Sequence, residues 1–243
     1  MSTQASSHPM PWVQTRGWYI TLLLLALVVM WDLSGWDLRV MQWFGSAQGF
    51  ALKENWWLST VMHSRAQQLS VLAYVFLLVM VFWPLGPFRA ASRRQRAASL
   101  LAITASLVAV SILKRISLTS CPWDLSLFGG PASYVSHWSL GMSDGGGGRC
   151  FPSGHASSAL AFMAVSFPAL FSHDATQHRH GRALLLLVVL LGLVFGMTQT
   201  VRGAHYPSHT LWTAWICWTT GWLTYRWTAG QPNGLTQRTD SAD

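Results

Sequence analysis

Four consecutive residues, Pro152-Ser153-Gly154-His155, carry the strongest chemical signal in this chain because they stand immediately before an apolar window. A Pro-Ser-Gly turn that enters a helix presents unpaired backbone N–H groups and the positive end of the helix dipole, which together favour a phosphate oxygen. His155 then lies beside that anion, where an imidazole can donate a proton to a leaving oxygen. The alternative is an ordinary Ser N-cap followed by a histidine at a membrane surface. We favour a phosphate site, with Ser153 and Gly154 as amide donors.

A second group of ionisable residues lies between two later apolar windows. Arg202 and His205 precede Pro207, and Pro207 suits the first turn of a helix. His209 then lies about one turn deeper, so that the two imidazoles can face each other. Ionisable groups at a membrane boundary are costly and normally have a task, which favours a site over two unrelated interfacial histidines.

A third group ends another apolar window, where Lys114 and Arg115 stand together. Cations at a helix C-terminus are favoured by the helix dipole, and this is the simple explanation for the pair. Arg149 adds a further cation just before the Pro-Ser-Gly-His turn. Three segments with cations, two of them with histidines, make one shared anion site the more economical interpretation.

Together these segments resemble the phosphatidic acid phosphatase type 2 and haloperoxidase superfamily. Its pattern is Lys, six residues, Arg-Pro; then Pro-Ser-Gly-His; then Ser-Arg, five residues, His, three residues and Asp. The middle part is intact, and the first part matches at Lys114 and Pro122 but has Cys121 in place of Arg. The resemblance runs from about Lys114 to Trp227, which is roughly half of the chain.

The third part of the pattern diverges further. His205 matches, but Thr198-Gln199 replaces Ser-Arg and His209 replaces Asp. The resemblance implies that His205 is the nucleophile, that His155 is the general acid and that Lys114 holds phosphate oxygens. An alternative frame makes His209 the nucleophile, but the match of His-Tyr-Pro-Ser to the family favours His205.

The departures from the pattern remove positive charge and a carboxylate. Arg202 lies three residues beyond the expected arginine, about one helical turn, and is the compensating cation that we expect to bind phosphate. Arg149 and Arg115 are further candidates. We expect His209 to orient His205, with Asp124 a possible carboxylate partner, because a neutral histidine can orient an imidazole but stabilises its positive form less than an aspartate does.

The elements that must position these residues are membrane helices. The chain is 51% hydrophobic and 10% charged with a mean hydropathy of +0.30, which excludes a disordered chain and disfavours a water-soluble globule. About six windows approach the roughly 20 apolar residues of a membrane span. They are Trp18–Trp31, Leu69–Leu85, Ala97–Leu113, Ala156–Phe171, Ala183–Val201 and Leu211–Trp227.

We therefore predict an all-α, polytopic membrane protein with a six-transmembrane-helix bundle. No linker divides the chain, so we expect one membrane-embedded domain over residues 1–243, with its motifs in about 114–227. Tryptophans spread through residues 32–68 predict short interfacial helices in the first outward loop. The first window is open to interpretation as a secretion signal, but no small-x-small cleavage site follows it, which favours an uncleaved anchor.

The basic residues give the expected orientation. A net charge of +8 would suggest a nucleic-acid partner in a soluble protein, but here the arginines cluster after the second and fourth windows, and we expect no nucleic acid. That clustering marks one side as cytoplasmic. With six spans both termini share that side, and all three motifs face outward. We expect a bacterial inner-membrane protein with a periplasmic site.

Cysteine placement agrees with this orientation. Cys121 and Cys150 fall in one outward loop, where an oxidising compartment allows a disulfide, while Cys217 is expected to be apolar packing. Two cysteines with His155 are open to interpretation as a zinc site, but no CxxC pair exists and the spacing is not typical of one. We expect no metal and no cofactor.

The resemblance implies a metal-independent phosphatase that forms a phosphohistidine. A site at the membrane interface favours a membrane lipid phosphate as substrate, drawn from lipid A, undecaprenyl diphosphate, phosphatidylglycerol phosphate and phosphatidic acid. Two alternatives remain: a lipid-to-lipid phosphotransferase, and a catalytically silent membrane binding protein. The sequence sets no oligomeric state.

Overall fold

The computed structural model describes residues 11–139 and 141–229. Both chain ends, which were predicted to be cytoplasmic, lie outside the described residues. The fold is all-α with little strand, as predicted. The α-helices are α1 (Pro11–Ser34), α2 (Trp36–Phe44), α3 (Ala66–Phe82), α4 (Arg93–Ile116), α5 (Gly154–Leu160), α6 (Phe167–Leu170), α7 (Ala175–Val201) and α8 (Pro207–Ala229). Two short strands, β1 (Gly45–Ser46) and β2 (Gly49–Phe50), pair antiparallel after α2.

Four helical segments among the described residues are long and apolar enough to cross a membrane: Gly17–Ser34, Trp57–Phe82, Arg93–Ile116 and Ala175–Val201. The segment Gly154–Leu170 is apolar but shorter, and a 3-10 stretch, Ala161–Ser166, joins α5 to α6 within it. Helix α8 has 23 residues and is less apolar. The membrane character is therefore established, while the count of six spans stays a prediction.

The second membrane segment begins earlier than its apolar window indicated. A π-helical stretch, Trp57–Arg65, runs directly into α3, which ends at Phe82 ahead of Pro84. Proline lacks a backbone N–H and cannot continue the helix. The polar residues of Trp57–Arg65 lower its mean hydropathy, so the apolar window did not include it. This stretch contains His63.

Helices α4 and α8 pack at the centre of the bundle. Helix α4 turns the small residues Ala98, Ala102 and Ser106 inward, and small side chains let membrane helices approach closely. The Ser106 hydroxyl donates to the Cys217 carbonyl oxygen of α8 at 3.1 Å. On the other side of α8, the indole of Trp218 donates to Thr21 of α1 at 3.1 Å. This core fixes the direction in which α8 presents its first turn.

The predicted short helix in the first loop is present as α2, with Trp36 and Trp43 exposed. Asp37 on its inner face accepts hydrogen bonds from the Ser208 amide at 3.0 Å and from the Ser208 hydroxyl. Burial raises the pKa of Asp37, and the bonds from Ser208 and Trp31 oppose that shift. Helix α2 is thereby attached to the beginning of α8.

Candidate active site

The three sequence motifs meet at one end of the bundle: the end of α4, the beginning of α5 and the α7–α8 loop. Lys114, in the last turn of α4, donates from Nζ to the Arg149 carbonyl oxygen at 2.7 Å. Its side chain also passes Gly154, where a Cβ atom would lie 3.5 Å from Lys114 Cδ. The lysine therefore lies against the turn that contains the second motif.

His205 and His209 form a buried pair. Their Nδ1 atoms lie 3.4 Å apart, and the two side chains are 3% and 0% exposed. Pro207 begins α8, so His205 precedes the helix and His209 stands in its first turn, as the sequence indicated. Because Nδ1 of His205 faces His209, its Nε2 is the nitrogen left to act on a substrate.

His155 faces His205 across a gap, with 6.1 Å between the ring centroids. A second imidazole, His63, lies against His155 with 3.7 Å between centroids. His63 is isolated in the chain and belongs to no motif, so the sequence pattern does not indicate it as a site residue. Its one sequence signal is a histidine at the edge of a membrane window, where ionisable groups are costly.

The turn before α5 is organised differently from the expectation. Ser153 is fully buried; its hydroxyl accepts from the Ala156 amide at 3.4 Å, and its own amide donates to the His209 carbonyl oxygen at 3.3 Å. The Ser153 amide is therefore engaged and does not face a phosphate. Within the described residues, the Gly154 amide makes no such bond and remains the backbone donor.

Arg202 is held rigidly beside the histidines. Nη1 donates to Gln199 Oε1 at 3.1 Å and Nε donates to the Lys53 carbonyl oxygen at 2.9 Å. Gln199 occupies the position of the arginine in the family pattern, so the guanidinium supplied one turn later is held by its replacement. Burial lowers the pKa of Arg202, which Glu54 opposes, but a guanidinium stays charged near neutral pH.

The other two cations are placed less favourably. Arg115 is exposed on α4, and Arg149 is exposed in a left-handed backbone conformation with φ 60. Arg149 contributes its carbonyl oxygen to Lys114, and its amide donates to the Ser117 carbonyl oxygen at 2.8 Å. What Arg149 contributes to the described site is therefore its backbone, whereas a phosphate-binding role was expected of its side chain.

Cys121 and Cys150 form a disulfide, with 5.1 Å between their Cα atoms. Cys121 stands where the family pattern has an arginine, so a covalent link joins the first motif to the loop before the second. Cys150 Sγ also lies 3.4 Å from His205 Nδ1. Donor atoms of Cys150, His205 and His209 all lie within 4.8 Å of one another, but a disulfide sulfur is not a thiolate, which leaves two imidazoles for a metal.

The surroundings keep His205 neutral. Burial, followed by the charges of His209, Lys114 and His155, holds its pKa well below the ordinary value. A neutral imidazole retains the lone pair that a nucleophile needs. Asp124 makes no hydrogen bond to His209 among the described residues, so its role as a carboxylate partner stays a prediction that no contact supports.

A comparison with protein-family models matches residues 96–232 to the PAP2 superfamily. No curated protein and no solved structure gives a significant match. The matched segment is more than half of the chain and includes Lys114, the Pro-Ser-Gly-His turn and His205, whose convergence is described above. The chain therefore belongs to the PAP2 superfamily, a membership that supports a phosphatase activity.

Proposed function

We propose that the protein is a metal-independent membrane lipid phosphatase that acts through a phosphohistidine on His205. The observation that carries the proposal is the buried, neutral His205, whose ring centroid lies 6.1 Å from that of His155. Lys114 and Arg202 are the cations near the two rings. A nucleophile, a proton donor and two cations around one gap are the parts that phosphoryl transfer requires.

In the first step, His205 Nε2 attacks phosphorus and the bond from phosphorus to the lipid oxygen breaks. Burial, followed by the charges of His63, Lys114 and Arg202, lowers the pKa of His155 to about 3, so the proton that it passes to the departing oxygen comes from the bound phosphate monoanion. Lys114, Arg202 and the Gly154 amide stabilise the phosphoryl oxygens. In the second step, His155 accepts a proton from water, the water oxygen bonds phosphorus, and the bond to His205 breaks. His155 passes this proton to the phosphate, which leaves, and both imidazoles return to their neutral states.

Access from the bilayer supports a lipid substrate. Ile116, two residues after Lys114, is 69% exposed, and Trp57, at the beginning of the segment that carries His63, is 65% exposed. Aromatic and aliphatic side chains at this level are typical of a membrane interface. These exposed apolar side chains support a substrate whose chains stay in the bilayer while its phosphate approaches His205.

The orientation of the site is part of the same proposal. The arginine clusters at 89–96 and 179–182 lie at the opposite end of the bundle from the histidines, which supports a cytoplasmic location for that end. The disulfide beside His205 supports an oxidising compartment for the site. We propose a bacterial inner membrane with a periplasmic site, one domain over residues 1–243 and an envelope lipid as substrate.

A lipid-to-lipid phosphotransferase is the second candidate, because the same His205, His155 and Lys114 would carry out its first step. The first step is identical; a hydroxyl or phosphate of a second lipid replaces water in the next. A catalytically silent binding protein is disfavoured, since Lys114, His155 and His205 are all present and convergent.

The test is phosphate release from a panel of lipid A, undecaprenyl diphosphate, phosphatidylglycerol phosphate and phosphatidic acid by purified protein in detergent without added metal. We expect release by the parent, none by His205→Ala and strong loss in His155→Ala. His178→Ala, at the opposite end of the bundle, is the matched control.

Transfer of labelled phosphate to an added lipid, without release, would identify the transferase. Activity that survives in His205→Ala would refute the mechanism, and no reaction of either kind would leave the binding protein.

A further inference from the structure

His209 carries a buried nitrogen with no partner. Its Nδ1 faces His205, while its Nε2 makes no hydrogen bond within the described part of the chain. The ring of His137 lies perpendicular to the His209 ring, with 6.0 Å between centroids. Buried polar atoms of side chains normally have a partner or a functional reason to lack one. The pairing of His209 with His205 therefore does not account for the buried Nε2 of His209.

A carboxylate lies directly behind His137. Asp32 Oδ2, near the end of α1, is 3.2 Å from His137 Nε2, and the side chains are 6% and 10% exposed. The indoles of Trp212 and Trp138 donate to the same oxygen at 2.7 and 3.0 Å. Three N–H groups on one buried oxygen favour the ionised form of a carboxylate. Trp212 stands one turn after His209 on α8, so Asp32 is tied to the same helix.

The other buried carboxylates near this end are used elsewhere. Asp37 accepts from Ser208 and Trp31, and Asp144 accepts from the amide and hydroxyl of Ser120. Among the described residues, Asp32 is the carboxylate that reaches the neighbourhood of His209 through an imidazole. It also lies outside the segment that matches the family model, so no family motif indicates it.

We propose that Asp32, acting through His137, supplies the negative charge that an aspartate at position 209 would supply directly, which makes Asp32 and His137 positioning residues for His205. This inference rests on the proposed phosphatase. When Nε2 of His205 bonds phosphorus, the His205 ring becomes positive and its Nδ1 proton passes to Nδ1 of His209. The Asp32 carboxylate stabilises the resulting His209 imidazolium across His137, and the proton returns when the phosphohistidine is hydrolysed.

A double substitution separates this role from simple packing. In the parent, Asp32→Asn should lower kcat about 10-fold or more with little change in KM, because only the charged intermediate is affected. His209→Asp places a carboxylate beside His205, so in that background Asp32→Asn should cost less than about 2-fold. Asp144→Asn is the matched control, and its effect should be the same in both backgrounds.

An equal loss from Asp32→Asn in both backgrounds would show that Asp32 only supports Trp138 and Trp212, and the inference would fail. If His209→Asp is itself inactive, His137→Phe replaces it: this variant keeps a ring on Phe151, whose ring lies 4.4 Å away, but removes the nitrogens. His137→Phe and Asp32→Asn should then each lower kcat, and the double variant should lose no more than either single variant. Additive losses would refute the link from Asp32 through His137 to His209. A parent with no activity refutes the proposed phosphatase, a different result.

At the opposite end of the bundle, a cavity of about 890 Å³ opens between α3, α4, α6 and α7, with mostly apolar walls. Ser99 and Arg96 of α4 line it, and Ser99 Oγ and Arg96 Nε are buried without a hydrogen-bond partner in the described residues. The other two guanidinium nitrogens of Arg96 donate to backbone carbonyl oxygens, which leaves Nε as its free donor in that part of the chain. Ser99 is 7% exposed, whereas Ser106 on the same helix satisfies its hydroxyl by donating to the Ala102 carbonyl oxygen.

We also infer that this cavity binds one anionic phospholipid as a non-catalytic ligand. Apolar walls suit acyl chains, and the unsatisfied hydroxyl and guanidinium nitrogen suit the oxygens of a headgroup. Arg96 lines the cavity and the arginines of 89–96 and 179–182 lie at the same end of the bundle, and basic pockets between membrane helices favour anionic headgroups. The inference does not depend on the phosphatase site.

Native mass spectrometry of delipidated protein tests this inference, with phosphatidylglycerol and phosphatidylcholine added separately. We expect one phosphatidylglycerol bound in preference to phosphatidylcholine, lost in Ser99→Phe and retained in Leu101→Phe, whose side chain is 52% exposed on α4. Leu184→Trp fills the same cavity from α7 and covers the case in which Ser99→Phe does not fold. Equal binding of both lipids, or retention of phosphatidylglycerol in a folded cavity-filling variant, would refute the site.

Discussion

Gln199 Oε1 accepts a hydrogen bond of 3.1 Å from Arg202 Nη1. The side chain at the family's arginine position thus holds a guanidinium from the next helical turn, and a second hydrogen bond, from Arg202 Nε to the Lys53 carbonyl oxygen, fixes its orientation. The positive charge absent from the motif is therefore restored by a neighbour of the motif. This relationship gives the first prediction.

Arg202→Ala should lower kcat/KM by about 10²-fold or more, because a cation that stabilises phosphoryl charge is worth several kcal/mol. Arg115→Ala, exposed on α4, should change it less than about 2-fold. Steady-state kinetics on the best lipid phosphate measures both. Equal losses would mean that Arg202 is not the compensating cation.

General acid catalysis by His155 predicts a dependence on the leaving group. His155→Ala should lose about 10²–10⁴-fold on a lipid phosphate, whose alkoxide needs a proton, and much less on a nitrophenyl phosphate, whose phenolate does not. His205→Ala should be inactive on both. The measurement is kcat on the two substrates, and an equal loss of His155→Ala on both would contradict the acid role.

His63 should matter through its contact with His155, since the ring centroids are 3.7 Å apart. His63→Ala should lower kcat about 10-fold, because the proton donor loses the group that fixes its orientation. His63→Phe keeps a ring against His155 and should retain more activity than His63→Ala. If the two variants lose equally, the imidazole nitrogens of His63 act directly and the packing role is wrong.

The sequence was sufficient to predict what depends on local pattern. The all-α membrane fold, the proline that begins α8 and the meeting of three motif segments all follow from hydropathy, spacing and resemblance. His63 and Asp32 were beyond it, because each acts across a contact between distant segments; Asp32 and His137 are 105 residues apart.

Local hydrogen bonding explains a second class of differences. The Ser153 amide was expected to face a phosphate, but in the fold it donates to His209, a bond that only the packing of α5 against α8 creates. The membrane window at Leu69–Leu85 likewise missed the π-helical stretch before α3, because its polar residues lower the hydropathy average. Hydropathy averaged over a sequence window is dominated by the many lipid-facing residues, so it does not detect a few polar side chains that point inward.

The disulfide makes a prediction about labelling and stability. Cys121 and Cys150 should resist a thiol reagent until reduced, and buried Cys217 should stay unlabelled in the native protein. The bridge spans 29 residues, so Cys121→Ser with Cys150→Ser should lower the free energy of unfolding by about 3–4 kcal/mol. Free labelling of both cysteines in native protein would exclude the bridge.

The depressed pKa of His205 gives a dependence of activity and stability on pH. Burial keeps the imidazole neutral, and His209, Lys114 and His155 oppose its protonation further. The nucleophile therefore stays competent below its ordinary pKa near 6.5, so the acid limb of kcat/KM that reflects His205 should lie below about pH 6.5. For stability the sign is the opposite of that for a histidine whose pKa a salt bridge raises: below the ordinary pKa, the unfolded chain binds a proton at His205 that the folded chain does not. The free energy of unfolding should therefore fall as pH decreases through about 6.5, by up to about 1.4 kcal/mol per pH unit for this group. Thermal unfolding in detergent at pH 5.5 and 7.5 measures it, and His205→Asn should reduce the difference. An unchanged difference in His205→Asn would assign the pH dependence to other groups.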